Sequence, residues 1–372
     1  MSVHSKGFIS PCPLQYEAHF ETPAPDEAET IAELVETLRG ISEKTNADQG
    51  HATRSVHAKA HGLLRGELRV LTNLPPTLAQ GMFATPRAFP LVMRLSTIPG
   101  DLLDDKVSTP RGMAIKVVGV EGARLPGSQG EVTQNFVLVN GPDFLAPDAK
   151  HFLQSLKLLA ATTDKAPKLK KVFSAMARGA EKIIESVGGE SATLKSMGGH
   201  PETHILGETF YSQVPLLHGA YMAKLSVVPI SPGLTLLKNA PLDLEGKPDG
   251  LREAVVDFFA THSAEWELRV QLCTDLKAMP IEDASVHWPE DLSPPIAVAR
   301  ITVAPQAAWS EARAKVIDDG YFFSPWHGLA AHRPLGSVMR ARQAAYEMSA
   351  QFRARHNGQV VQEPKSLDDL PD

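Results

Sequence analysis

The residues that could do chemistry in this sequence lie in short separate runs rather than in a familiar signature. The patterns GxxxxGK[ST], GxSxG and HExxH are absent. His57 and His61 stand four residues apart and could hold a metal ion from one face of a helix, but no third ligand follows nearby. A single histidine before a strand usually has a structural role, so His57 becomes informative only together with the other runs.

Four runs place polar residues at regular intervals in the first half of the chain. His57 lies in RSVHAK, Ser96 lies in VMRLST, TPRGMAIK begins at Thr109, and Asn135 leads an apolar strand. The interval from His57 to Ser96 and the interval from Ser96 to Asn135 are both 39 residues.

A fifth run lies near the C-terminus. It reads RQAAY from Arg342 to Tyr346, and Arg353 follows seven residues later. If this segment is helical, Arg342, Tyr346 and Arg353 share one helix face at positions i, i+4 and i+11. This arrangement distinguishes Tyr346 from a tyrosine that only packs its ring in the core.

Alternating blocks of strands and helices must position these runs. Apolar spacing predicts helices at 29–44, 147–186, 249–262, 308–317 and 337–355. Alternation and turn residues predict strands at 64–72, 90–96, 112–119, 134–140, 207–214, 220–230, 266–274 and 296–303. Two runs of four strands, separated by a helix, favour a closed antiparallel barrel with outer helices over a doubly wound sheet. An extended arm precedes the first helix, and residues 357–372 read as a polar tail.

Taken in order, the runs resemble the motifs of the catalase superfamily. Catalases carry R-x-V-H-A-K-G, F-x-R-F-S-T, D-P-R-G-F-A-x-K, an Asn-led strand and a proximal R-x-x-x-Y, and each run looks like one of these. The resemblance covers about residues 45–355, and the segment PWHGLAAHRPLGS at 325–337 resembles that of catalase-related haem proteins. The short chain is most similar to the catalase-related peroxidase type.

The resemblance implies a fold and a division of the chain. The fold is α+β: a catalase-like closed eight-stranded antiparallel β-barrel with surrounding helices, and a haem buried between the barrel and a C-terminal helix. Residues 1–62 would form the N-terminal arm and the helix that carries the distal histidine. Residues 63–305 would form the β-barrel haem domain with inserted helices. Residues 306–372 would form the C-terminal helices with the proximal tyrosine, and then the tail.

The same resemblance implies a role for each site residue. Above a ferric haem, expected to be haem b, His57 would move a proton, Ser96 would orient its ring and Asn135 would hold the peroxide. Tyr346 would bind the iron as a phenolate, a state that Fe³⁺ and the charge of Arg342 both favour. The other cofactor-binding residues are the propionate partners Arg54, Arg94 and Arg353, together with Val56 and Phe144.

The implied activity is the decomposition of hydrogen peroxide, by catalase turnover or by peroxidase turnover with an organic electron donor. Leu95 and Met113 stand where the family has phenylalanine, and this departure favours a pocket in which peroxidase turnover competes. Two alternatives stay open. One is a haem enzyme that processes fatty-acid or other small organic hydroperoxides, as the allene oxide synthases of the superfamily do, and the other is a non-enzymatic haem-binding protein. Val56 stands where those synthases carry threonine and so favours ordinary peroxide chemistry, and the proton-shuttling His57 argues against a simple carrier.

Composition excludes several other classes of function. The 372 residues are 43% hydrophobic and 22% charged, as in soluble globular proteins. The net charge of −6 argues against nucleic-acid and anionic-membrane partners, and no segment approaches the roughly 18 apolar residues of a spanning helix. With only Cys12 and Cys273, we expect free thiols and a cytoplasmic location. A homodimer or another homo-oligomer is left open.

Overall fold

A closed barrel of antiparallel β-strands lies at the centre of the molecule, in a computed structural model that describes residues 12–160, 200–368 and 370–372. The strands are β1 (Ala60–Val70), β2 (Ala88–Thr97), β3 (Arg111–Val118), β4 (Thr133–Val139), β5 (Phe210–Tyr211), β6 (Leu216–His218), β7 (Tyr221–Pro229), β8 (Ala264–Leu272) and β9 (Ile296–Val303). The α-helices are α1 (Glu27–Gln49), α2 (Ala149–Ala160), α3 (Pro232–Thr235), α4 (Gly250–Thr261), α5 (Glu311–Ala314) and α6 (Ser337–Asn357). Short 3₁₀ turns lie at Ala18–Phe20, Gly81–Phe83, Ile205–Gly207 and Ala330–His332, and a π-helical turn lies at Lys315–Gly320.

Eight of the strands form a closed ring. They hydrogen-bond in the order β1, β2, β3, β4, β5, β7, β8, β9 and back to β1, while β6 pairs with the first part of β7. The ring closes through the two residues of β5, because Tyr211 pairs with Val139 on one side and with Ser226 on the other. A closed ring contains no edge strand that could pair with another chain. The predicted closed eight-stranded antiparallel barrel is confirmed.

Side chains that alternate along each strand fill the barrel. In β8, Trp266, Leu268 and Val270 belong to the main apolar cluster and are 0% exposed, whereas the intervening Glu267 and Arg269 are partly exposed. This two-residue period is the pattern that the sequence shows for this segment, since successive side chains of a strand point to opposite faces.

Helices α1, α2 and α6 pack together outside the barrel. Leu34, Leu38 and Ile41 of α1 belong to the same apolar cluster as Ala345 and Met348 of α6. The predicted amphipathic helices at 29–44 and 337–355 are therefore present. Each runs a few residues further than predicted, and ends where a glycine adopts the left-handed conformation that stops a helix (φ 69° and 63°).

Two predicted elements form only in part. Of the strand expected at 207–214, only the two residues of β5 form a strand, and Gln213 has φ +62°, which ends the extended conformation. The short β6 begins only after Pro215, which has no N–H for the ladder. The helix expected at 308–317 is the four-residue α5 followed by the π-helical turn. Of the helix predicted at 147–186, α2 is described, and residues 161–199 lie outside the described part of the chain.

Both described ends of the chain lie on the barrel. The N–H of Leu14 donates to the carbonyl of Cys273 and that of Tyr16 to the carbonyl of Ala220, each at 2.8 Å. The tail is not only polar, because Leu370 is 3% exposed in a cluster beside the barrel.

Cys12 and Cys273 are free thiols, as expected. Across residues 12–160, 200–368 and 370–372, no helix has the length and apolar character that a membrane span requires.

Arg340 ties the N-terminal arm to α6, the helix that carries Tyr346. Its guanidinium contacts three carboxylates, those of Glu21, Glu27 and Glu282, at 2.6–3.0 Å. All three ion pairs are largely shielded from water. Because a shielded ion pair is costly to break on one side only, this cluster fixes where α6 begins relative to the arm.

We predict that Glu21→Gln destabilises the protein by about 2 kcal/mol near neutral pH, since hydrogen bonds to a charged group are lost. Burial alone would raise the pKa of Glu21, but the Gly336 N–H and Arg333 outweigh it, and the net pKa is lowered. A carboxyl whose pKa is lower in the folded state stabilises the fold above its unfolded pKa and loses this contribution as the pH falls through the folded value. The difference in Tm from wild type should therefore shrink below about pH 4. Glu17→Gln, at an exposed site, is the control, and a pH-independent difference would contradict the assignment.

Candidate active site

A cavity lies where the barrel faces α1 and α6. Strands β2, β3 and β4 and the segment before β1 form one wall, and side chains of α1 and α6 form the other. Seven of the ten predicted site residues line it: Arg54, Val56, His57, Arg94, Ser96, Tyr346 and Arg353.

Backbone and side-chain contacts together fix the ring of His57. Its φ of +57° is uncommon for a residue other than glycine, and its N–H donates to the carbonyl of Ile98 at 2.6 Å. The ring Nδ1 lies 3.1 Å from Oγ of Ser96, which is the contact that the resemblance implied. Within the described residues, Nε2 makes no hydrogen bond and is left for a ligand in the cavity.

The register between β2 and β3 creates the space for this ring. Ser96 is paired with Gly112, and Arg94 with Ala114. A Cβ placed on Gly112 would lie 2.6 Å from Cε1 and Nδ1 of His57 and 3.0 Å from Oγ of Ser96. The residue at position 112 must therefore be glycine if His57 and Ser96 are to keep their contact.

His57 is held in its neutral form. Burial lowers its pKa to about 3, and the positive charges of Arg94, Arg342 and Arg54 add to the effect. The imidazole is thus unprotonated throughout the physiological pH range, so that Nε2 can accept a proton.

Three arginines meet at one edge of the cavity, where the carboxylate of Asp318 bonds two of them. Nη1 of Arg54 and Nε of Arg94 both contact Oδ1 of Asp318, at 2.8 and 2.6 Å. Arg353 bonds only within its own helix, to Ser349, and its buried Nε has no partner in the described part of the chain. Burial lowers the pKa of Arg54 well below its usual value, and the charges of Arg94 and Arg353 add to this, while Asp318 and Asp319 oppose it.

One face of α6 forms the helix side of the cavity. Tyr346 is partly buried, and Ala345, Ser349 and Arg353 line the cavity beside it. The hydroxyl of Tyr346 makes no hydrogen bond to a described residue. The predicted sharing of one face by Tyr346 and Arg353 is present, because both line the same cavity.

Three predicted site residues do not line the cavity. Arg342 lies with its guanidinium 5.3 Å from the centre of the Phe144 ring; burial lowers its pKa, and the interaction with Tyr346 opposes this. Phe144 packs under that guanidinium and against Phe152. Asn135 uses both ends of its amide inside the protein: Nδ2 donates to the carbonyl of Phe322 at 3.1 Å and Oδ1 accepts from Lys116 at 3.0 Å.

Sequence reasoning missed several groups that shape the cavity. Asp318 holds two of the arginines, and Phe322 and Phe323 line the wall next to it. No spacing rule links them to His57, since they lie more than 250 residues away. Gly112 is different, because it lies in the TPRGMAIK run, and only its steric role depends on contacts that form in the folded chain.

The possible metal pair of His57 and His61 is wrong. These residues are not on a helix: His61 is in β1, is 0% exposed and bonds Thr97 at 3.1 Å. Among the described residues, no group of three or more His, Cys, Asp or Glu side chains could hold a metal ion.

The cavity residues fit the haem that the sequence predicts. The edge formed by Arg54, Arg94 and Arg353 carries three positive charges against two from Asp318 and Asp319, and the Nε of Arg353, unpartnered among the described residues, needs an acceptor. Two propionates would supply negative charge and an acceptor, and the free hydroxyl of Tyr346 is a suitable iron ligand.

Comparison with known proteins finds similar folds at low sequence identity. No protein-family model and no curated protein matches the chain. Its fold is similar to that of catalase A from Saccharomyces cerevisiae, with 18% identity and a TM-score of 0.59 over 84% of this chain and 63% of that one. It is also similar to the fold of a fungal catalase, with 18% identity and a TM-score of 0.58 over 89% of this chain and 70% of that one. A bacterial catalase matches with 16% identity and a TM-score of 0.57 over 92% of this chain and 64% of that one. The chain has a catalase-like fold.

The catalase-like fold bears out the fold class implied by the motifs. The chain spans 63% of the yeast catalase and 64% of the bacterial one. At these sequence identities the likeness concerns the fold alone.

We predict that Gly112→Ala separates His57 from Ser96, because the added methyl group would overlap the imidazole. The ring would have to turn away and lose its hydrogen bond to Ser96, so we expect a loss of about 1–3 kcal/mol in stability. The change should be visible as a shifted His57 imidazole resonance in ¹⁵N-labelled protein. Gly119→Ala is unsuitable as a control because of its positive φ; Gly40→Ala, where a Cβ meets nothing, is suitable. An unshifted His57 resonance in Gly112→Ala would contradict the packing argument.

Proposed function

We propose that this chain binds haem in the cavity and decomposes hydrogen peroxide with it, by catalase turnover, peroxidase turnover or both. One observation carries the proposal. A neutral histidine hydrogen-bonded to a serine, a tyrosine with a free hydroxyl, and three clustered arginines line the same cavity of a catalase-like barrel. Each of these groups has a purpose in haem peroxide chemistry, whereas few other ligands would use all of them.

Tyr346 would hold the iron. A nearby positive charge stabilises a phenolate ligand. Arg342 supplies such charge, because its guanidinium and Tyr346 interact electrostatically. Ferric haem, when bound, would supply the iron centre that takes up the two oxidising equivalents of the peroxide.

His57 would handle the proton. Its neutral Nε2 can accept a proton from one peroxide oxygen and return it to the other, and Ser96 keeps the ring oriented for both transfers. The close packing of the His57 ring against Gly112 and its contact with Ser96 restrict how the ring can turn. Such pre-positioning is what a proton relay between two oxygen atoms needs.

Arg54, Arg94 and Arg353 would pair with the two propionates. Arginine suits this role because its guanidinium can bond a carboxylate with two parallel N–H groups. Asp318 already bonds Arg54 and Arg94, so the propionates would take the remaining N–H groups of this edge, including the buried Nε of Arg353.

The position of Asn135 favours a share of peroxidase turnover. Disproportionation requires a second peroxide to be held and oxidised, and the family uses an asparagine for holding it. Here both ends of the Asn135 amide are engaged by Lys116 and Phe322. An organic electron donor or a small organic peroxide would depend less on that amide than hydrogen peroxide does.

The test is an absorption spectrum of protein purified from haem-supplied cells, followed by peroxide addition with an oxygen electrode and a chromogenic donor. A ferric Soret band with phenolate-type features and oxygen release support catalase turnover. The same band with donor oxidation and little oxygen supports peroxidase turnover. If the protein takes up no haem, this result contradicts the proposal.

Tyr346→Phe should lower haem affinity at least about tenfold, as removing groups around a metal ligand does, and should abolish the phenolate-type bands. The measurement is a haemin titration of the purified protein followed by absorption. Tyr211→Phe, on a strand away from the cavity, is the matched control. Normal haem uptake with an unchanged spectrum would refute the ligand assignment.

His57→Ala should retain haem but lose about 10²–10⁴-fold in its rate with hydrogen peroxide, the usual contribution of a general acid–base group. In the wild type, this rate should stay level down to about pH 5, because the pKa of His57 is lowered to about 3 and its base form persists. Stopped-flow absorption measures both. His19→Ala, at an exposed site, is the control, and wild-type rates in His57→Ala would remove His57 from the mechanism.

A further inference from the structure

A second polar cluster lies directly behind the cavity wall, and its acidic member comes from the C-terminal tail. We call it the tail cluster: Lys116, Thr133, Asn135, His327 and Glu363. Lys116 is 0% exposed and Asn135 is 2% exposed, and the two are paired across β3 and β4. Glu363 reaches them from a segment after α6, more than 200 residues later in the chain.

Two donors of the tail cluster converge on one backbone carbonyl. Nζ of Lys116 donates to the carbonyl oxygen of Phe322 at 3.0 Å, and Nδ2 of Asn135 donates to the same oxygen at 3.1 Å. Nζ also donates to Oδ1 of Asn135 at 3.0 Å, so each donor fixes the other. The Phe322 peptide is therefore held at a defined position by two groups that cannot move independently.

Phe322 and Phe323 line the cavity. Nζ of Lys116 lies 5.3 Å from the centre of the Phe323 ring, and the Arg54 guanidinium lies 5.9 Å from it. Arg54 also donates to the carbonyl of Tyr321 at 3.3 Å. This part of the wall is thus held between the tail cluster and the arginine edge of the cavity.

Glu363 is the carboxylate that balances Lys116. Its side chain is 8% exposed, it accepts from Lys116, and its Oε2 accepts from the hydroxyl of Thr133 at 2.6 Å. The adjacent Gln362 N–H donates to the carbonyl of Gly320 at 2.8 Å, which brings the tail alongside the start of the cavity segment. Burial lowers the pKa of Lys116 and Glu363 opposes this, so a buried ammonium without this partner would be poorly tolerated.

We propose that Glu363 is a positioning residue for the cavity. Its carboxylate keeps Lys116 charged and directed, so that Lys116 and Asn135 hold the wall formed by Phe322 and Phe323 in place. The tail then supports the cavity wall from behind, although Glu363 does not line the cavity. The proposal rests on the proposed function only in taking haem as the occupant of the cavity.

The first measurement is hydrogen–deuterium exchange of the full-length protein without haem, in wild type and in Glu363→Gln. Peptides covering residues 320–324 should exchange several-fold faster in the variant, while peptides of β8 should not change. Glu347→Gln, at an exposed site on α6, is the matched control. Unchanged exchange at 320–324 in Glu363→Gln overturns the proposal.

A double variant separates positioning from a general effect on stability. Adding Lys116→Met to Glu363→Gln removes the unpaired buried charge, so the Tm should return toward the wild-type value. Exchange at 320–324 should stay fast, because the Lys116 donor to Phe322 is still missing. A return of both quantities together would mean that Glu363 acts through stability alone, and would overturn the proposal. If Glu363→Gln does not fold, Asn135→Leu, which removes the other donor without unpairing a charge, must produce the same local increase or the proposal is overturned.

A haem measurement distinguishes this proposal from the preceding one. Release of haem to an acceptor apoprotein should be about tenfold faster from Glu363→Gln than from wild type, as for other groups that support a metal site. Equal release rates would overturn the role of Glu363. If the wild type takes up no haem, the proposed function fails, and the exchange experiment still decides whether Glu363 positions the wall.

Discussion

The pairing of β2 with β3 determines where the polar groups of the cavity lie. Ser96 is opposite Gly112, and the missing side chain at Gly112 leaves the space that the His57 ring occupies. Because strand side chains alternate between faces, a shift of one residue would turn both Arg94 and Ser96 away from the cavity. The barrel core excludes such a shift, since it would also move the apolar side chains of β2 out of the interior. Closure of the ring and placement of the candidate site therefore depend on the same register.

A single electrostatic feature has two effects in this cavity. The cluster of Arg54, Arg94 and Arg353 creates an excess of positive charge that an anionic ligand would relieve. The charges of Arg94 and Arg54, with that of Arg342, also help to keep His57 unprotonated. Affinity for carboxylates and availability of the base are thus coupled, because neutralising these guanidinium groups with a ligand reduces one contribution to the lowered pKa of His57 and leaves burial as the main one.

Much of the fold and part of the site could be predicted from the sequence, because the signals are local. The strands of the barrel and the faces of α1 and α6 follow from periodicity, and His57, Ser96 and Tyr346 follow from short motifs. Asn135 illustrates the limit. Its motif position is informative, but its hydrogen bonds depend on Lys116 across the sheet, which no spacing within one strand reveals. Asp318 could not be predicted either, since an aspartate in a π-helical turn has no sequence pattern that links it to the arginines.

The two-residue strand β5 has a consequence for how the barrel comes apart. Every other junction of the ring consists of at least four paired residues, whereas β5 pairs with one residue of β4 and two of β7. Local opening occurs at the lowest free energy where the fewest hydrogen bonds must break, so the ring has a seam at β5. Opening there would free one side of β4 while β3 still held the other. The junction at β5 is therefore the weakest of the barrel, and it adjoins β4, the strand that contributes Val137 and Leu138 to the cavity wall.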